Sequence, residues 1–114
     1  IEGRLKEIIK KYQDIRFAFI YGSFAGGKEK ALSDIDLIVI GGADFKGIKT
    51  CIYEYQSKIG REINSIIYSP EEFLSKFKAE NHFIRMVIKE PKIFLKGAED
   101  EFRRFIQIRE NTKA

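Results

Sequence analysis

A chain of 114 residues is the size of one domain, and 44% hydrophobic residues, ten of them Phe, can fill one core. One cysteine and one histidine exclude an internal disulfide and a zinc site of Cys and His ligands within the chain, and no apolar run reaches membrane-spanning length. The net charge of +4 suits an anionic ligand such as a nucleotide and falls short of the dense basic surface that duplex DNA requires.

The chain starts Ile1-Glu2-Gly3-Arg4 without Met, as a piece of a longer or processed protein would. That tetrapeptide equals a protease-tag sequence and is given no functional weight. Leu5, Ile8, Ile9 and Tyr12 fall at helical spacing and predict a helix over about Leu5 to Tyr12. Ile15 to Tyr21 is a short apolar run ended by Gly22, the pattern of a buried strand. Ser23 is placed to cap a short helix running to about Gly26, and Gly26 to Lys30 reads as a polar turn.

Asp34 to Ile40 is β-branched and apolar and predicts the second strand, closed by Gly41-Gly42. Asp44 to Ile59 predicts a helix stopped by Gly60, and Glu62 to Tyr68 a third strand. Ser69-Pro70-Glu71-Glu72 combines an N-cap, a Pro at the first helical position and a Glu at the third, so a helix must follow. A further helix from about His82 to Lys89 stops before Pro91, a strand from Lys92 to Lys96 ends at Gly97, and an amphipathic helix from Ala98 to Glu110 carries Phe102, Phe105 and Ile106 on one side. Alternating helices and strands predict an α/β or α+β fold with a small mixed sheet of three to four strands flanked by helices. One domain over 1–114 is expected, with a core at 15–68 and an extension at 69–114. The default setting for such a chain is reducing and cytoplasmic.

The chemistry lies in Tyr21 to Gly42. Side chains alternate faces along a strand, so Asp34 and Asp36 point the same way, with Cα atoms roughly 7 Å apart. Two carboxylates at that spacing converge on a hard cation such as Mg²⁺ or Mn²⁺ and leave positions for water and phosphate oxygens. Without a cation they only repel. Gly22-Ser23, where a strand turns into a helix N-terminus, is an anion site: glycine admits phosphate close to the backbone and Ser adds a hydroxyl. If the two strands are neighbours, one metal-bound triphosphate fills both sites.

Gly22-Ser23, ten residues, then Asp34-Ile35-Asp36 resembles the signature of the DNA polymerase β-type nucleotidyltransferase superfamily. More narrowly, the chain looks like a minimal nucleotidyltransferase domain, and Arg61 to Asn64, Ser69 to Phe73 and Pro91 to Leu95 look like the prokaryotic subgroup linked to winged helices. The resemblance implies metal-dependent transfer of a nucleoside monophosphate from an NTP to an acceptor hydroxyl, with pyrophosphate leaving. Asp34 and Asp36 would hold Mg²⁺ or Mn²⁺, and Gly22 and Ser23 the phosphates. Lys28 or Lys30 would neutralise phosphate charge.

Two departures stand out. Phe24 and Gly26 occupy places where relatives carry arginines, and the family's third carboxylate has two candidates on one face of the third strand, Glu62 and Asn64. The common apolar-Asp-apolar pattern aligns to Asn64. Glu62-Ile63-Asn64 instead resembles the aminoglycoside-modifying branch, in which the Glu serves, and Glu62 is preferred as ligand and base. The partners implied are an NTP and an acceptor, a protein among the options, with no membrane and no direct DNA binding by this domain alone. The alternatives are a catalytically weak nucleotide-binding regulator and an antitoxin-like partner of a small helical toxin.

Overall fold

The structure, a computed structural model, describes residues 1–27 and 34–113, the last six of these by backbone only. The elements in chain order are α1 (Glu2–Lys10), β1 (Ile15–Tyr21), β2 (Ile35–Gly41), α2 (Phe45–Ile59), β3 (Ile63–Tyr68), α3 (Pro70–Lys78), α4 (His82–Lys89), β4 (Lys92–Lys96) and α5 (Glu99–Lys113). The strands form one mixed sheet in the order β3-β2-β1-β4, with β1 antiparallel to β2 and β4, and β2 parallel to β3. The expected mixed sheet of three to four strands therefore has four.

The central strands explain their own composition. β1 and β2 are flanked by strands on both sides and covered on both faces, so nearly every residue in them is buried. One face bears Ala18, Ile20, Leu37 and Val39, packed with Leu5, Ile8 and Ile9 of α1 and Ile48 and Ile52 of α2. The other bears Phe17, Phe19, Ile38 and Ile40, packed with α3, α4 and α5. Phe102 of α5 sits amid the second layer, its ring centroid 5.5 Å from Phe17, 5.3 Å from Phe19 and 5.8 Å from both Phe73 and Phe94. Edge-to-face pairs of this kind add to the area they bury.

Local signals set the boundaries. Asp44 accepts from the Gly47 N–H at 3.0 Å, and α2 ends on left-handed Gly60. Ser69 accepts from the Glu72 N–H at 3.0 Å with Pro70 in the first turn, as the capping box requires. Asn81 caps α4 in the same way, accepting from Ile84 at 3.1 Å. One expectation is corrected: residues Gly22 to Gly27 form consecutive turns, not a short helix. The Gly26 N–H reaches the Gly22 carbonyl at 3.0 Å and the Gly27 N–H the Phe24 carbonyl at 3.2 Å, so the chain coils through hydrogen-bonded turns here.

Phe102 is central to the aromatic layer, and its loss leaves a cavity among rings that cannot collapse together. Phe102→Ala is expected to lower folding stability by about 3–5 kcal/mol, read from urea unfolding. A change below 1 kcal/mol would show that the layer repacks freely.

Candidate active site

The register of the sheet assembles the site. Tyr21 pairs with Asp36, Asp36 pairs with Asn64, and Tyr21 pairs with Lys92 on its other side. One row thus crosses all four strands on the face that carries Phe19 and Ile38. Asp34 stands one residue before β2, exposed, and Asp36 is half-buried within it. Their shared direction follows from the two-residue period.

Asn64 joins them. Its amide nitrogen lies 3.4 Å from Asp34 Oδ2 and 3.4 Å from Asp36 Oδ1. Both contacts are long for N–H···O bonds, so the amide spans the pair loosely. Two carboxylates facing an amide call for its donor end, because ionised carboxylates only accept. Glu62 is exposed, immediately precedes β3, and its backbone carbonyl accepts from the Ile35 N–H at 2.9 Å. Among the described residues no three Asp, Glu, His or Cys side chains gather where they could hold a metal. The side chain between the aspartates is Asn64.

Gly22 completes the approach from β1. Its φ of +83° is the left-handed conformation that glycine adopts without strain, and a Cβ there would lie 3.7 Å from Asp36 Oδ2. The turn is tied to the strand opposite: the Gly22 N–H donates to the Pro91 carbonyl at 3.3 Å, and Pro91 packs beside Gly26. The N–H groups of Ser23 and Phe24 take no backbone partner among the described residues. The two N–H groups expected to meet phosphate therefore belong to a coiled turn and not to a helix terminus. Lys28 and Lys30 lie outside the described residues.

Three features escaped the sequence reading. Pro91 buttresses the turn from a distant segment. Arg61, read only as part of the Arg61 to Asn64 stretch, stacks its guanidinium over Phe24 at 5.3 Å and sets a cation beside the Gly22–Ser23 turn. Tyr21 is the third. It is buried next to Asp36, and burial first, then the Asp36 charge, push its hydroxyl up to about 12, so it stays protonated at neutral pH.

The donor set suits a hard cation. Two like-facing carboxylates, accessible and with oxygen donors only, match Mg²⁺, which accepts one or two carboxylates and completes its shell with water and phosphate oxygens.

Comparison with known proteins places the chain in a family. Residues 3–100 match the family model for polymerase beta nucleotidyltransferases. A Methanocaldococcus jannaschii protein, provisionally named a protein adenylyltransferase, is 32% identical over 91 residues, which are 80% of this chain and 79% of that protein. The chain belongs to this nucleotidyltransferase family. In fold it resembles a chain of a toxin–antitoxin crystal structure with AMP-PNP, with a TM-score of 0.65 at 15% identity over 98% of this chain and 86% of that one. It also resembles a chain from the complex of the tri-AMPylated HEPN toxin and MNT antitoxin of Shewanella oneidensis, with a TM-score of 0.52 at 13% identity over 99% and 87%.

Two outcomes follow from the geometry. Gly22→Ala forces a Cβ into the left-handed region and should cost about 1–2 kcal/mol, measured by chemical denaturation; an unchanged midpoint would mean the turn relaxes. Asp34→Asn with Asp36→Asn removes two like charges, so without metal the melting temperature should hold or rise. A large fall would make the pair structural.

Proposed function

We propose that this member of the polymerase beta nucleotidyltransferase family moves AMP from ATP to a hydroxyl on a protein. The observation that carries the reading is the convergence of Asp34, Asp36 and the Gly22 turn at one end of the sheet. ATP as donor and a protein as acceptor are supported by the relative named as a protein adenylyltransferase and by the AMP-PNP and AMPylated complexes among the structural neighbours.

Asp34 and Asp36 would hold Mg²⁺ or Mn²⁺, which when bound neutralises phosphate charge and polarises the reacting phosphate. The chain's own groups supply the rest. The N–H groups of Ser23 and Phe24 and the Ser23 hydroxyl receive the β- and γ-phosphates. Lys28, the first lysine after the Gly22–Ser23 pair in sequence, is assigned the added positive charge. The acceptor oxygen bonds to the α-phosphorus as the bond to the bridging oxygen breaks. Pyrophosphate leaves, and the hydroxyl proton passes to a carboxylate or to water. Glu62, two residues before Asn64 and so on its face, is the carboxylate we assign as third ligand and base once substrates are bound.

A second reading is favoured by Asn64. An amide cannot take up a proton, so a site that relied on it in place of a carboxylate would bind nucleotide and turn it over slowly. Such a domain would act as a nucleotide-binding regulator. The antitoxin complexes among the structural neighbours support a version of the first reading in which the acceptor is a helical toxin.

The test is incubation with labelled ATP and Mg²⁺ followed by mass spectrometry of the chain and of candidate acceptors. An AMP adduct that disappears in the Asp34→Asn, Asp36→Asn protein is expected. Glu62→Gln should lower the rate by about 10²-fold or more while ATP binding, read by calorimetry, survives. Equal rates would return the third position to Asn64, and Asn64→Asp should then raise activity.

A further inference from the structure

The outer edge of β3 carries a feature that meets the candidate site. β3 is an edge strand. Ile35 pairs with Ile63 and donates to the Glu62 carbonyl, so the residues flanking Ile63 bond to β2. Ile63, Ser65 and Ile67 therefore turn their own N–H and C=O groups outward.

Two of these outward groups are met by side chains of α2. The Ile63 N–H donates to Gln56 Oε1 at 2.8 Å, and Lys49 Nζ donates to the Ser65 carbonyl while lying 3.0 Å from Ser65 Oγ. A carbonyl and an ammonium at the tips of flexible side chains thus stand where a neighbouring strand would place its own acceptor and donor. Between α2 and β3 lies a groove of about 400 Å³, walled by Lys49, Tyr53, Gln56, Asn64 and Ile66. Tyr53 is 67% exposed and Ile66 36%. Asn64 is shared: it walls the groove and bonds both aspartates.

We propose that this groove docks an extended segment of the acceptor protein as an added strand on β3, delivering its hydroxyl at the Asn64 end. The proposal rests on the transfer reading above and names how its acceptor is held. An incoming strand supplies the N–H and C=O that displace Gln56 and Lys49, and its backbone bonds give affinity without sequence. Side chains of such a strand alternate faces. The one beside Asn64 faces the aspartates, and the one two positions away meets Ile66. The favoured acceptor therefore has an apolar residue two positions from its hydroxyl. A nucleic acid fits less well, because among the described residues the groove is lined by one cation, Lys49, where a phosphate backbone asks for several.

A degenerate heptapeptide mixture with Tyr, Ser or Thr at its centre, labelled ATP and Mg²⁺ test this on the full chain. Pyrophosphate release without peptide, AMP passing to water, is followed in parallel. The wild type should label peptides enriched in an apolar residue two positions from the modified hydroxyl. Tyr53→Lys with Ile66→Lys should lower peptide labelling by about tenfold or more, the weight of one interface anchor, with peptide-free release unchanged. Hydrogen exchange at the Ser65 and Ile67 amides should slow when the best peptide is added. The proposal is overturned if the wild type releases pyrophosphate but labels no peptide, or if the double variant labels as fast as the wild type. No release at all by the wild type would overturn the transfer reading, and the docking proposal with it.

Discussion

Pairing of β1, β2 and β3 in one register is the constraint on which the site depends. Tyr21, Asp36 and Asn64 meet only because residue 36 sits opposite 21 on one side and 64 on the other. A slip of one residue would send Asp36 into the layer of α1 and α2 and bring an Ile to the catalytic face. What prevents the slip is burial. Leu37, Ile38, Val39 and Ile40 are all fully buried, alternately on opposite faces, so no other register keeps both layers apolar. The hydrophobic core thus fixes the position of two carboxylates that contribute nothing to it.

Charge at the site is balanced differently. Asp34 and Asp36 face the same way, and Arg61 stacks on Phe24 beside the Gly22–Ser23 turn. The group between the aspartates is neutral. An amide donor there eases the repulsion of two carboxylates without neutralising it, and leaves their outward oxygens open to a cation. A third carboxylate in that place would bind metal more tightly and, without metal, would repel the other two.

The two faces of the sheet divide the remaining work. The aromatic layer under α5 holds Phe102 among five other rings and anchors β1 and β4. That anchoring carries Pro91 to the Gly22 turn, where its carbonyl takes the glycine N–H. The opposite edge, β3, pairs with one strand, buries Ile63 and Tyr68 in the two layers, and on its outer side meets the tips of Gln56 and Lys49. The Gly22 turn is therefore tied to well-packed structure, while the outer side of β3 is met by flexible side chains.

Nine elements were legible in the sequence because each depends on short-range chemistry: helical spacing in α1 and α5, the Ser69 cap of α3, the glycines that close β2 and α2, and the apolar runs of β1 and β2. The aspartate pair was legible for the same reason, since a two-residue period fixes direction without knowledge of neighbours. The turn at Ser23 was not. A cap followed by small residues reads as a helix start, but Pro91 across the sheet holds the loop in a single coil. From the sequence Glu62 was preferred over Asn64, and the two share one strand face; that Asn64 lies opposite Asp36 came from the parallel register of β3 on β2, which no local pattern specifies. Composition and local pattern determined which segments are strands and which residues carry charge near them. Only the tertiary structure decided which of those residues touch, because strand register is set by the whole core and not by any one segment.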